Sequence, residues 1–349
     1  MKRIEEIDKN FKSSLPEFSG MRTYDIHRAP FSLYGLKYGE RGFYRMDIEV
    51  ADTVSDGVKA LNFNTAGGCL RFKSDTERII LTATLPDLCL MNHMPLTGSS
   101  SFSIYCDGEF CGVFRAPSVE EYKGTWSSEL HLPKGEKDIM ILFPLYNNVK
   151  ELYISLEETA AVSEGNKFES RLPVVFYGSS ITQGGCASHP GNAYTNIIMR
   201  ELNRETINLG FSGSCKAEKP MADYIGRLPM SLFVYDYDHN APDSAYLRDT
   251  HERFFKEFRS LQPDTPVLML SVADGHFGKE EIEKRRAVIK KTCENARAAG
   301  DKNVYFLDGG HFYDEIGLRN ATVDTCHPND LGFYAFYKNI SQFMKENNL

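Results

Sequence analysis

From Pro173 onward the chain repeats one rhythm: a short, largely apolar run, a glycine or aspartate, then a longer stretch with helical spacing. The apolar runs are Val174–Tyr177, Ile207–Leu209, Leu232–Tyr235, Val267–Ser271 and Val304–Leu307, and the helical stretches lie near 192–204, 219–227, 244–260, 279–299 and 329–346. Runs this apolar read as strands covered on both faces, and helices between them supply the cover. The expected fold is therefore α/β, a doubly wound parallel sheet. Ligands in such sheets lie beyond the carboxyl ends of the strands. Chemistry is thus sought in Gly178-Ser179-Ser180-Ile181-Thr182, Gly210-Phe211-Ser212-Gly213-Ser214, Asp236-Tyr237-Asp238-His239-Asn240, Ala273-Asp274-Gly275-His276 and Asp308-Gly309-Gly310-His311.

The first half keeps a different rhythm. Short β-rich runs occur at Phe43–Val50, Lys59–Phe63, Leu70–Phe72, Arg78–Leu85, Ser101–Cys106, Glu109–Phe114, Ser127–Leu132, Asp138–Leu142 and Glu151–Leu156. Turn clusters such as Ala51–Gly57, Ala66–Gly68 and Pro133–Lys137 separate them, and no helical stripe is evident, so an antiparallel β-sandwich is expected. The small, polar stretch Ala160–Ser170 reads as a boundary. The expected division is a β-sandwich over residues 1–165 and an α/β unit over 166–349.

Composition narrows the partners. With 40 Lys+Arg against 48 Asp+Glu in 349 residues the net charge is −8, which argues against nucleic-acid binding. No apolar run approaches the roughly 20 residues that span a bilayer. The opening residues MKRIEEIDKNF place acids where a signal peptide is apolar, so a cytoplasmic protein without a membrane partner is expected. The eight cysteines are scattered and form no C-x-x-C pair, which disfavours zinc and disulfides and favours buried, reduced thiols.

A serine hydroxyl becomes a nucleophile when a base takes its proton and a third group orients that base. Ser180 follows an apolar strand and a glycine, and precedes a helix whose amides favour an oxyanion. Asp324 stands three residues before His327, just ahead of a helix capped by Asn329, so one short loop can supply both partners. Taken singly, each has a plainer role: Ser180 as a turn or cap residue, Asp324 and His327 as a local cap, Asn240 and Gly213 as turn residues. Asp236 and Asp238 are expected to bond loop groups and not a metal. His276 and His311 read as loop residues, and Trp126 and Tyr122 as sandwich core and not a sugar platform. Cys186 and Cys326 flank the site without a partner pattern of their own.

Together, GSSIT after the first strand, the glycine of GFSG, the asparagine of the third strand end and the terminal D-x-x-H resemble the four blocks of the SGNH hydrolases, the GDSL esterases and lipases. The first half, through Gly67–Asp75, Phe102–Tyr105 and Phe143–Asn147, is similar to the β-sandwich that precedes some SGNH hydrolases. The resemblance implies Ser180 as nucleophile, His327 as general base and Asp324 as the orienting acid. It implies an oxyanion hole of the Ser180 and Gly213 N–H groups and the Asn240 side-chain amide. Two positions depart from the pattern: Ser179 replaces a frequent aspartate, and Asp238-His239-Asn240-Ala241-Pro242 replaces G-x-N-D. The implied activity is serine-dependent hydrolysis of short O-acyl esters, acetyl among them, on a carbohydrate or polyol, with no cofactor or metal. The alternative is a catalytically silent glycan-binding protein on a hydrolase scaffold. The sequence leaves the oligomeric state open.

Overall fold

In the computed structural model, which describes residues 16–170, 172–273 and 276–349, the apolar runs form a five-stranded parallel sheet. Its order is Thr206–Gly210, Val174–Gly178, Leu232–Asp236, Val267–Leu270, Val304–Leu307. Alternation along each strand sends side chains to two helical layers. Val175, Tyr177, Phe233, Tyr235, Val267 and Met269 meet the helices Lys219–Ile225, Ser244–Leu261 and Lys279–Ala298. Val174, Phe176, Leu232, Val234, Leu268 and Leu270 meet Tyr194–Glu201 and Asp330–Glu346. The chain leaves Val174–Gly178 for the strand on one side and later returns to the strand on the other, so Ser180 stands at the switch point of the sheet.

Among the described residues the first half forms a small two-stranded sheet of Lys37–Gly39 and Gly42–Tyr44 and two larger antiparallel ones. One has the order Met21–Asp25, Glu151–Glu157, Arg78–Thr84, Thr125–His131. The other runs Val162–Ser163, Cys69–Ser74, Lys137–Leu142, Phe102–Cys106, Glu109–Phe114, with Ser32–Tyr34 on Cys69–Ser74. Leu70, Phe72, Ile79, Leu81, Phe102, Ile104, Ile139 and Ile154 fill the space between them. Trp126 is buried there, and the Tyr122 hydroxyl donates to the Leu85 carbonyl, so both serve the core. Among the described residues no helix is long and apolar enough to cross a membrane.

Two expected strands are corrected. Of Phe43–Val50 only Phe43 and Tyr44 lie in a strand, Gly42–Tyr44, and Ile48–Val54 is a helix; Lys59–Phe63 lies largely in a second helix, Asp56–Leu61, and the expected turn cluster Ala51–Gly57 falls mostly within the two helices. The Ser55 hydroxyl accepts the Val58 N–H and caps the second helix. Ala51, Val54, Val58 and Leu61 make one apolar stripe, which packs with Met221, Ala222 and Ile225. The helices thus belong to the core beneath the parallel sheet although they precede residue 165. Ala66, Met94 and Leu145 likewise enter the core on the other side of the sheet. The two kinds of sheet separate near residue 165, but the packing crosses that line.

Candidate active site

Gly178 ends the central strand, and a Cβ there would lie 2.0 Å from Thr182 Oγ1 and 2.5 Å from the Asp236 carbonyl. The chain therefore turns tightly into the short helix Ser180–Gln183, with the Ser179 hydroxyl accepting the Ile181 N–H as its cap. Ser180 heads that helix, so its N–H lies outside the intrahelical ladder and points from the helix start. Its side chain remains partly accessible.

The expected base and acid meet it. Ser180 Oγ lies 2.9 Å from His327 Nε2, and His327 Nδ1 lies 2.8 Å from Asp324 Oδ2. The Asp324-Thr325-Cys326-His327 loop is self-braced: Asp324 Oδ1 accepts the N–H groups of His327 and Cys326, and the Val323 N–H donates to the His327 carbonyl. Thr325 adopts φ +69°, a rare left-handed conformation for a β-branched residue, which this bracing must hold. Burial raises the Asp324 pKa, but hydrogen bonds from the His327 ring and from the two backbone N–H groups outweigh it. The net direction is downward, so Asp324 is anionic at neutral pH. With Asp324 Oδ2 accepting from Nδ1–H, Nε2 is left with its lone pair toward Ser180.

The loops on either side of Ser180 carry the other expected residues. Gly213 adopts φ +67° in the turn after Gly210, and its N–H has no hydrogen-bond partner among the described residues. Asn240 closes the turn Asp238–Asn240 and donates from Nδ2 to the Phe211 carbonyl at 2.9 Å, tying the third loop to the second. A side-chain amide carries two donors, so one N–H of Asn240 remains for another acceptor.

A family profile for GDSL-like lipases and acylhydrolases matches residues 171–345. The chain belongs to this family. A second profile, for the N-terminus of SGNH-hydrolase-type esterases, matches residues 22–162 of this acylhydrolase, which is a carboxylic ester hydrolase. A Bacteroides ovatus protein described as a GDSL-like lipase is similar at 27% identity and TM-score 0.84, over 93% of this chain and 97% of that one. The salicylyl-acyltransferase SsfX3 of a tetracycline biosynthetic pathway matches at 18% identity and TM-score 0.78, over 95% and 99%. The acetyl xylan esterase Est2A of Butyrivibrio proteoclasticus matches at 13% and 0.60, over 93% and 99%. The curated proteins gave no match.

Behind Ser180 the acylhydrolase buries a web of polar side chains, of which Gln183, Asn208 and Arg285 carry no mark in the sequence. Gln183 donates to the Leu145 carbonyl at 3.1 Å and accepts the Ser212 N–H at 3.0 Å, fixing the loop that leads to Gly213. Asn208 donates to the Thr182 carbonyl, and Asp236 accepts from Thr182 Oγ1 and the Tyr194 hydroxyl. Asp238 accepts from the buried Arg285 guanidinium and from the Val272 N–H. Both aspartates thus bond loop and core groups. His311 pairs with Asp314 on the surface, and His276 contacts Phe277 edge-on. Asp274 and Gly275 lie outside the described residues.

Three further residues come from the first half. Arg45 is buried and donates to the carbonyls of Gly210, Asn208 and Leu61, with its guanidinium 4.2 Å from the Phe211 ring centre. Burial without a carboxylate lowers its pKa to about 9, which leaves it charged at neutral pH. The Tyr146 hydroxyl donates to the Ser180 carbonyl at 3.2 Å. His93 sets its ring edge-on to His327 with centres 5.7 Å apart. No local pattern marks these three, because their partners are distant in sequence. Cys186 is also near, but burial and the Asp324 charge push its thiol up to about 12, so it remains protonated and a poor nucleophile.

Proposed function

We propose that Ser180, His327 and Asp324 act as nucleophile, general base and orienting acid in hydrolysis of a short acyl ester. The continuous chain Ser180 Oγ, His327 Nε2, His327 Nδ1, Asp324 Oδ2, at 2.9 and 2.8 Å, carries the reading. Ser180 Oγ adds to the ester carbonyl as its proton passes to His327 Nε2, and Asp324 stabilises the imidazolium. Charge grows on the carbonyl oxygen, where the N–H groups of Ser180 and Gly213 and the second N–H of Asn240 would meet it. His327 then gives the proton to the leaving alcohol. Water then gives a proton to the same nitrogen as its oxygen adds to the acyl-serine, and His327 returns that proton to Ser180 Oγ as the acyl–oxygen bond breaks and the acid leaves. Every proton transfer is accounted for by His327, so the scheme calls on no cofactor.

The alcohol we propose is a carbohydrate. Support comes from the fold shared with the acetyl xylan esterase and with a family two carbohydrate esterase from Clostridium thermocellum, described in complex with cellohexaose. The test is acetate release from acetylated oligosaccharides and from a small aryl acetate, by wild type and by Ser180→Ala. Turnover of both by wild type and of neither by the variant is expected. A folded wild type that turns over neither would favour a silent glycan binder.

A further inference from the structure

His93, Cys186 and His327 place one ligand atom each within 4.8 Å of one another, and they come from three separate segments. We propose that they form an inhibitory site for a thiophilic divalent cation such as Zn²⁺ or Cd²⁺. The inhibition rests on the esterase reading above; the binding does not.

The donor set suits the ion. One thiolate and two imidazoles are borderline-soft ligands, and three protein ligands leave a fourth tetrahedral position for water. With Zn–S of about 2.3 Å and Zn–N of about 2.0–2.1 Å, tetrahedral ligand atoms lie about 3.4–3.6 Å apart. The triangle must therefore close by roughly 1 Å, and one corner can move. Cys186 and His327 are both held: Ser188, two residues after the cysteine, bonds Asp330 through its N–H and hydroxyl, and the Asp324 turn fixes the histidine. His93 is exposed, and its Nδ1 bonds only the neighbouring Asn92 Oδ1 among the described residues. That bond makes Nδ1 the protonated nitrogen and leaves the Nε2 lone pair to bind.

The second shell agrees. Asp324 on His327 Nδ1 is the carboxylate–histidine arrangement that orients and strengthens imidazole ligands. Its negative charge also favours a cation beside Cys186. On binding, the thiol proton leaves to solvent, a metal–sulfur bond forms, and no oxidation state changes. The metal takes the His327 Nε2 lone pair, which is then lost to Ser180.

The test uses the full-length protein with Zn²⁺ or Cd²⁺ alone. Wild type should lose most of its aryl acetate hydrolysis with Zn²⁺ and regain it with EDTA. His93→Ala and Cys186→Ser, each measured against its own metal-free rate, should need about tenfold or more metal for the same inhibition. Independently of turnover, Cd²⁺ should raise an ultraviolet thiolate charge-transfer band in wild type, and Cys186→Ser should lose one Cd²⁺ equivalent of it. A Cd²⁺ band unchanged in Cys186→Ser, or inhibition equally strong in both variants, overturns the site. A protein without ester turnover whose Cd²⁺ band still depends on Cys186 keeps the metal site and fails the esterase reading instead.

Discussion

The two halves of the molecule spend their buried polar groups differently. Between the sandwich sheets the core is almost wholly aliphatic and aromatic, from Leu70 and Phe72 to Ile139 and Ile154. The parallel sheet has apolar layers too, but at its carboxyl edge it buries Thr182, Gln183, Asn208 and Asp236, each hydrogen-bonded. Buried polar groups are costly unless satisfied, and a satisfied network permits few other arrangements. The space between the sandwich sheets is therefore held by surface area and the loops around Ser180 by directed bonds, while the sandwich keeps its own buried polar groups outside that layer or at its margin, where Arg71 pairs with Asp138 and Lys137 donates to the Thr76 carbonyl. Arg45 and Tyr146 are among the first-half side chains that join the directed bonding of the second, with Arg71 on Asn203, Thr97 on Ser188 and Ser103 on His189 further from Ser180.

The comparison predicts graded losses. Ser180→Ala should lower kcat by several orders of magnitude while the melting curve stays put, because it removes only the proposed nucleophile. Asp324→Asn should cost kcat on the order of 10³–10⁴-fold with little change in KM, since an amide facing Nδ1 favours the wrong tautomer. A near-normal kcat in either variant would remove the triad from this edge of the sheet. Asn240→Ala should follow, with a fall of about 10²-fold in kcat and unchanged KM. If KM alone rises, Asn240 serves substrate binding.

Arg45→Met asks whether the first half reaches the chemistry. It strips donors from three carbonyls, two of them on the strand that leads to Gly213, and should cost about 2–4 kcal/mol of stability. kcat should also drop by about tenfold with KM held, because the Gly213 loop loses its support. A loss of melting temperature with normal kcat would confine Arg45 to stability and sharpen the contrast between the halves.

The smallest effect is a pH dependence of stability that lies in the parallel-sheet half. Burial lowers the His251 pKa to about 3, so below its unfolded value near 6.5 the unfolded chain gains a proton that the native state refuses. Stability from this source falls as pH drops from about 6.5 toward 3. Burial raises Asp236 from 3.8 to about 6 against its hydrogen bonds, so there the native state holds the extra proton and stability falls as pH rises through that window. The two slopes oppose one another between about pH 4 and 6. Melting temperatures of His251→Gln and Asp236→Asn should each slope more steeply there than wild type, in opposite directions. Parallel profiles for all three proteins would contradict both shifts.

The parallel sheet was legible because each strand is a short, largely apolar run and four of the five are closed by a glycine or an aspartate. The candidate triad was legible because Asp324 and His327 share one turn and Asn329 marks the helix that follows. Ile48–Leu61 was misread for a physical reason: Ile48 and Val50 favour strands locally, Asp52, Ser55, Asp56 and Gly57 make Ala51–Gly57 look like a turn, and the stripe Ala51, Val54, Val58, Leu61 becomes decisive only against Met221 and Ala222. Met21–Asp25 escaped notice as a five-residue, mostly half-exposed edge strand. Arg45 carries no signal at all, since its carbonyl partners on the parallel sheet lie 163 and 165 residues further along the chain.

Helices that pack into a core built from later residues also impose an order of events on the ribosome. Leu61 is made 160 residues before Met221, which at about 5–20 residues per second is a delay of roughly 8–30 s. Throughout that interval Ala51, Val54 and Val58 lack the side chains that cover them in the finished molecule. The nascent chain thus presents an apolar stripe before its cover has been synthesised, and a chaperone or slow translation through the later segment would act on this stretch first.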